Sequence, residues 1–314
     1  MRTGFWLSAA LSSLLCAGSA QAEGSVATTR ATTPGRVATT LSAFKAGASL
    51  VAPATPASGR FTLLTYNVAG LPEFISQSDP VHNMPVISGL LNLYDVALVQ
   101  EDFSYHPQLS SAALHAYRST PVVQNERTGI GDGLSVFSRL PFTAFERVTW
   151  KSCNGTLSDG SDCLASKGFT VARHQVAPGI EVDFYNLHMD SGRAPRDVRA
   201  RSDQASQLLA YLAQHSKGRP VIVAGDTNMS SDADSILANF NATESLVDSC
   251  RTLHCGRPRL IDRVLYRGSS TLDLRVVRFT LDRRFVTASG SDLSDHQALG
   301  VEVEWKRLGS DIAH

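Results

Sequence analysis

Along most of this chain, apolar positions cluster or alternate in short runs, and many of the runs stop on a polar side chain able to do chemistry. The clearest is Arg219-Pro-Val-Ile-Val-Ala-Gly-Asp-Thr-Asn228. Pro220 to Ala224 is apolar, rich in β-branched residues and too short for a helix, so it predicts a buried strand. Gly225 ends the run, and Asp226 and Asn228 follow. Positions i and i+2 of an extended backbone face the same way, so both side chains can enter one cleft. The same four residues also suit a plain turn. The other runs decide between the two readings.

Taken in order, Phe61 to Val68 predicts a strand that delivers Asn67, followed by a loop with Leu71, Phe74 and Ile75 as exposed apolar candidates. Val86 to Leu93 has helical spacing, and Asp95 to Glu101 predicts a strand closing on a carboxylate. Gly133–Ser138, Phe142–Trp150 and Thr170–Val176 predict three more strands. Lys167 beside Gly168 places an ammonium and a backbone N–H where a phosphate could meet both, or is a surface lysine before a strand. Glu181 to His188 alternates and ends in His188-Met-Asp190, with His188 and Asp190 on one face, so that the carboxylate could orient the imidazole. Arg196 to His215 predicts an amphipathic helix burying Leu208, Leu209 and Leu212. Arg193, Arg196, Arg199 and Arg201 at its start either contact phosphates or pair with Asp197 and Asp203. Ser231 to Phe240 predicts a short helix with a Ser/Asp cap. Leu260–Tyr266, Leu272–Leu281 and Gln297–Trp305 predict the last strands, with Asp262 near the start of the first and Ser294-Asp295-His296 entering the last.

The ends of the chain differ from this middle. Residues 1–22 combine Arg2, an apolar run from Phe5 to Ala17 and the small-x-small ending Ala20-Gln21-Ala22, the pattern of a cleaved signal peptide. No later stretch is apolar enough to span a bilayer, so a secreted or periplasmic protein is expected. Residues 23–58 are Ala/Thr/Ser/Pro-rich and predict a flexible leader. One catalytic domain over residues 59–307 and a tail at 308–314 complete the organisation, and a monomer is expected. With 29 basic and 29 acidic residues, net charge selects no partner. The even set Cys153, Cys163, Cys250 and Cys255 in an exported chain reads as disulfides, with the local pairing Cys153–Cys163 and Cys250–Cys255 preferred because each closes a short loop.

The strand-end groups Asn67, Glu101, His188, Asp226, Asn228, Asp262, Asp295 and His296 form a set. Carboxylates and amide oxygens without thiolates suit a hard cation such as Mg²⁺. Two histidines suit proton transfer near neutral pH. Together these are the groups needed to hydrolyse a phosphate ester by in-line attack of water.

Tyr66-Asn67-Val68, Val99-Gln100-Glu101, Asn186-Leu187-His188, Gly225-Asp226-Thr227-Asn228, Ile261-Asp262-Arg263 and Ser294-Asp295-His296 resemble, in order, the motifs of the endonuclease/exonuclease/phosphatase superfamily. That superfamily includes DNase-I-like nucleases, inositol polyphosphate 5-phosphatases and neutral sphingomyelinases. The resemblance implies a four-layer α/β/β/α sandwich with mostly antiparallel sheets and a Mg²⁺-dependent phosphoesterase, with Mn²⁺, Co²⁺ or Ca²⁺ as alternative ions. It implies Glu101 as the main metal ligand, helped by Asn67 and Asp295, and His296 as general base oriented by Asp262. Asp226, Asn228 and His188 would hold the phosphate and stabilise the transition state. The segment Cys153 to Phe169, with Asp162 and Lys167, resembles the sphingomyelinase branch, which implies a phospholipid substrate, with peripheral membrane contact through the Phe74 loop. A nuclease acting on nucleic acid, an inositol polyphosphate phosphatase and a non-enzymatic phosphate-ligand or partner-binding module are the alternatives.

Overall fold

A computed structural model describes residues 56–309 except 77, 123–129, 156–161, 230–231 and 258. The expected signal peptide, the leader up to residue 55, Ser231 and residues 310–314 lie outside the described residues.

Two six-stranded sheets pack face to face. One contains β1 (Ser58–Asn67), β2 (Val96–Gln100), β3 (Tyr117–Arg118), β4 (Ser135–Ser138), β11 (Leu272–Leu281) and β12 (Leu299–Arg307), in the order β11-β12-β1-β2-β4-β3. The other contains β5 (Phe142–Thr149), β6 (Gly168–Ala177), β7 (Ile180–His188), β8 (Val221–Asp226), β9 (Val247–Asp248) and β10 (Asp262–Arg267), in the order β5-β6-β7-β8-β10-β9.

The period-2 alternation of strand side chains builds the layers. In β1, Phe61 and Leu63 face the second sheet and join Val182, Phe184, Ile222 and Val264 in the central core. Leu64 and Tyr66, on the opposite face, pack under Met84, Ile87 and Leu91 of α1 (Pro80–Leu91). The second sheet does the same outwards. Tyr185, Val221 and Val223 meet Leu208, Leu209 and Leu212 of α3 (Pro195–His215) and Phe240 of α4 (Ala233–Glu244). Short α2 (His106–Ser110) and α5 (Ser249–Thr252) complete the α-helices among the described residues. The result is the expected α/β/β/α sandwich, with all pairings antiparallel except β1–β2 and β7–β8.

Those two exceptions position the site. A parallel pair needs a crossover, supplied by α1 in one sheet and α3 in the other. Both strands of each pair therefore end on the same edge: Asn67 stands opposite Gln100, and His188 opposite Asp226. The antiparallel β10 starts there too, with Asp262 opposite Asp226. Gly225 permits the close approach of β8 to β7. Its φ of 148° disfavours other residues, and a Cβ would lie 2.0 Å from the Leu187 carbonyl oxygen.

Some expectations change. Helix α4 takes Asp232 as its N-cap residue, but the carboxylate binds Arg201 (2.8 Å) and does not cap the helix. Arg201 itself is fully buried, and its guanidinium also donates to the carbonyls of Asp190, Ser191 and Gly192. It is thus a clamp on the loop after β7, not a phosphate contact. Asp197 accepts from Ala194 N–H and Asn154, and Asp203 from Ser152, so neither takes the arginine partner expected of it in these bonds. Both local disulfides form, with Cα–Cα distances of 5.4 Å for Cys153–Cys163 and 4.9 Å for Cys250–Cys255. One histidine is buried in the central core: the His174 ring stacks 4.3 Å from that of Phe184, and burial pushes its pKa down to about 3.

Candidate active site

Asp226 is the hub. Its Oδ2 accepts from Asn67 Nδ2 (3.2 Å) and Asn228 Nδ2 (3.1 Å), and lies 3.3 Å from His188 Nε2 and 3.7 Å from His296 Nε2. Its Oδ1 accepts from the Asn228 backbone N–H (3.0 Å). Burial alone would raise the pKa of this carboxyl, but the His188 hydrogen bond and charge, then His296 and Lys167, hold it below the usual range. Asn228 keeps its contact by adopting φ of 48°, a left-handed conformation that asparagine tolerates better than most residues.

Glu101 sits just past the end of β2 with φ of 58°, an uncommon conformation for glutamate. Its carbonyl accepts from Gly70 N–H (3.0 Å) and Phe103 N–H (2.9 Å), which hold the reversed backbone. The carboxylate then meets Asn67 Nδ2 at 2.9 Å and lies 3.9 Å from His188 Nε2. Asn67 Oδ1 accepts from Ala69 N–H (3.0 Å), so it is the amide nitrogen that faces the two carboxylates.

His296 is held from both sides. Its Nδ1 lies 3.0 and 3.1 Å from the Asp262 oxygens, leaving Nε2 toward Asp226. Burial disfavours the imidazolium, but the Asp262 carboxylate overrides it and raises the His296 pKa to about 10. Asp262 is itself pushed up to about 6 by burial, against the pull of His296. Two sets of ligand atoms lie within 4.8 Å of one another: Glu101, His188 and Asp226, and Asp226, Asp262 and His296. Asp295 joins neither set; its Oδ1 lies 3.3 Å from Ser294 Oγ.

One predicted contact goes elsewhere. His188 turns to Asp226, whereas Asp190 accepts from Asn154 N–H (2.6 Å) and Gln204 Nε2 (2.7 Å) and does not orient it. The Lys167 ammonium pairs with Asp162 on the wall of a cavity of about 550 Å³ that Trp150 and Asp190 also line. Gly168 is needed for packing, since a Cβ there would lie 2.1 Å from the Val148 carbonyl oxygen. Phe74 (83% exposed) and Ile75 (44%) project from the loop after β1, while Leu71 is half-buried.

Several supporting residues were not foreseen. Trp150 Nε1 donates to the His188 carbonyl (2.7 Å), and Ser294 Oγ donates to the Asn67 carbonyl (2.7 Å), tying the start of the last strand to the end of the first. Behind Glu101, the buried Asp102 carboxylate accepts from Ser135 Oγ (2.6 Å) and meets His106 Nδ1 at 2.5 Å. The serine was visible as the residue before Asp295-His296. Trp150 carried no signal, because its partner is a backbone carbonyl 38 residues away.

This geometry agrees with a family comparison. Residues 64–296 match the model of the endonuclease/exonuclease/phosphatase family. The chain belongs to that family. It is 32% identical over 266 residues to sphingomyelinases of Mycobacterium tuberculosis and Mycobacterium bovis, covering 78% of this chain and 52% of theirs. The chain thus spans about half the length of the curated relatives it matches. Among solved structures it superposes on sphingomyelinase C from Streptomyces griseocarneus with a TM-score of 0.58 at 21% identity, covering 78% of this chain and 99% of that one. A beta toxin variant from Staphylococcus aureus with bound magnesium ions gives 0.57 at 18% identity, covering 77% and 99%. At such identities the structures establish the shared DNase-I-like fold and no more.

Proposed function

We propose that this protein is an exported phosphodiesterase of the endonuclease/exonuclease/phosphatase family that uses a divalent cation to hydrolyse the headgroup ester of a phospholipid, with sphingomyelin as the first substrate to test. The observation that carries the reading is the placing of His296 between Asp262 and Asp226, facing the Glu101 cluster. His296, once the positive charge of a cation beside it offsets the carboxylates and frees Nε2 of its proton, would take the proton of the attacking water, with Asp262 fixing the ring so that Nε2 faces the reacting centre. His188 and Asn228, now turned to Asp226, would each redirect an N–H to phosphoryl oxygens as negative charge develops there.

The donor set fits a hard cation: a carboxylate open to solvent at Glu101, a second at Asp226, an amide at Asn67 and no thiolate. We assign the ion, Mg²⁺ foremost, to Glu101 with Asn67 and Asp295 in support, Asn67 acting through its oxygen once the amide turns. When bound, such an ion would polarise a phosphoryl oxygen and offset charge on the leaving group. Export through the signal segment and cleavage after Ala22 belong to the same reading, as does contact of Phe74 and Ile75 with the membrane that carries the substrate. Among the described residues no helix is long and apolar enough to cross a membrane.

The test is phosphocholine release from sphingomyelin vesicles with Mg²⁺, set beside nicking of plasmid DNA. Release that a chelator abolishes supports the reading. DNA nicking without phosphocholine release replaces it with a nuclease.

A further inference from the structure

Two cavities meet beside His296. The smaller, about 50 Å³, contains His296 and shares Arg257, Leu281 and Arg283 with a larger one of about 460 Å³. The larger is lined by three arginines, Arg257, Arg278 and Arg283, together with apolar Leu253, Val277 and Phe279, and no carboxylate. Among the described residues, none of these three guanidiniums meets an acidic partner, although acids stand close by. Asp282 is taken by Arg284 (2.6 Å), and Glu302, across the ladder from Arg278, by Arg60 (3.0 Å). Asp292 lines only the smaller cavity. The arrangement is built into the fold. The Cys250–Cys255 disulfide staples the loop that carries Arg257, and an irregularity in β11 between Val276 and Arg278 leaves Val277 39% exposed on an edge strand.

We propose that this cavity binds the phosphate of an anionic phospholipid and seats the protein on an anionic bilayer with His296 at the lipid surface. Free guanidiniums recognise phosphate through paired N–H donors, and basic residues gain from the negative potential of anionic leaflets. The apolar wall favours a lipid over a nucleic-acid backbone, which is contacted mainly through charged and polar groups. The proposal rests on the lipid phosphodiesterase reading for its purpose but is measured without turnover.

The experiment is cosedimentation of the purified protein, disulfides intact and chelator present, with vesicles of phosphatidylcholine alone or mixed with phosphatidylglycerol. The wild type should bind the mixed vesicles more tightly, and salt should weaken that binding. Each arginine near an anionic surface is worth about a fivefold gain, so R257Q/R278Q/R283Q should lose roughly a hundredfold. If the triple variant does not fold, each single variant should still lose about fivefold. Arg275→Gln, on the same strand but paired with Asp273, should bind as wild type. Equal binding by the triple variant, or equal affinity for both vesicles, overturns the proposal. So does binding of inorganic phosphate or duplex DNA through these arginines without vesicle binding. Hydrolysis of a soluble short-chain choline phosphodiester is read separately. If wild type and variant both lack it while vesicle binding keeps its arginine dependence, the substrate reading fails and the lipid site stands.

Discussion

Replacing Asp262 by asparagine removes one charge and almost no volume, so it isolates what the carboxylate does to His296. The imidazole, 3.0 Å from Asp262, holds its proton up to about 10, against an ordinary value of 6.5. That interval corresponds to at most roughly 5 kcal/mol of preference for the charged ring. In Asp262→Asn, burial still opposes the charge and its chief opponent is gone. The His296 pKa of the metal-free protein should fall by roughly two pH units or more, which ring-nitrogen NMR across a pH titration would record. An amide can also present its N–H to Nδ1 and favour the wrong tautomer, so kcat with Mg²⁺ should drop by about a hundredfold to ten-thousandfold. The melting temperature should stay near that of wild type. A ring that titrates as before, or a kcat within twofold of wild type, would refute the assignment of Asp262 as the orienting group.

Three other outcomes are expected. Glu101→Gln should lower activity about a hundredfold or more and raise the Mg²⁺ concentration needed for half-activity, as a metal titration of turnover would show. Arg201→Ala should cost about 3–5 kcal/mol in urea unfolding, because it removes the buried guanidinium that pairs with the Asp232 carboxylate and three backbone carbonyls; Arg201→Met with Asp232→Leu should recover much of the loss. His174 stays neutral in the folded chain down to about 3 but takes a proton near 6.5 once unfolded. The unfolded state therefore binds more protons between those values, and stability falls as pH drops through that window. His174→Phe should remove this slope, so wild type should lose about 2 kcal/mol more than the variant between pH 7 and pH 5.

The strand ends were legible because apolar runs of strand length stop abruptly on polar residues, and a central strand shows itself by composition alone. Register was not legible. His188 and Asp190 share a face by alternation, yet the parallel pairing of β7 with β8 brings Asp226 to the imidazole instead. Arg201 looked like an exposed member of a basic cluster, because nothing local announces that a guanidinium will be buried against Asp232 and three carbonyls. The short elements α2, β3, β9 and α5 carry too few residues for periodicity to appear. The three-arginine cavity escaped for the same reason as Arg201: its members come from two separate loops and an edge strand.

The seam between the two sheets also governs when the candidate site is complete. Asn67 and Glu101 come from one sheet, His188, Asp226 and Asp262 from the other, and His296 from the link into β12, which pairs with β1. The complete set is spread from residue 67 to residue 296, across both sheets. A nascent chain cannot close the site until the strand after His296 has docked beside the first. On the proposed reading, chemistry would therefore be withheld until the strand after His296 has paired with the first.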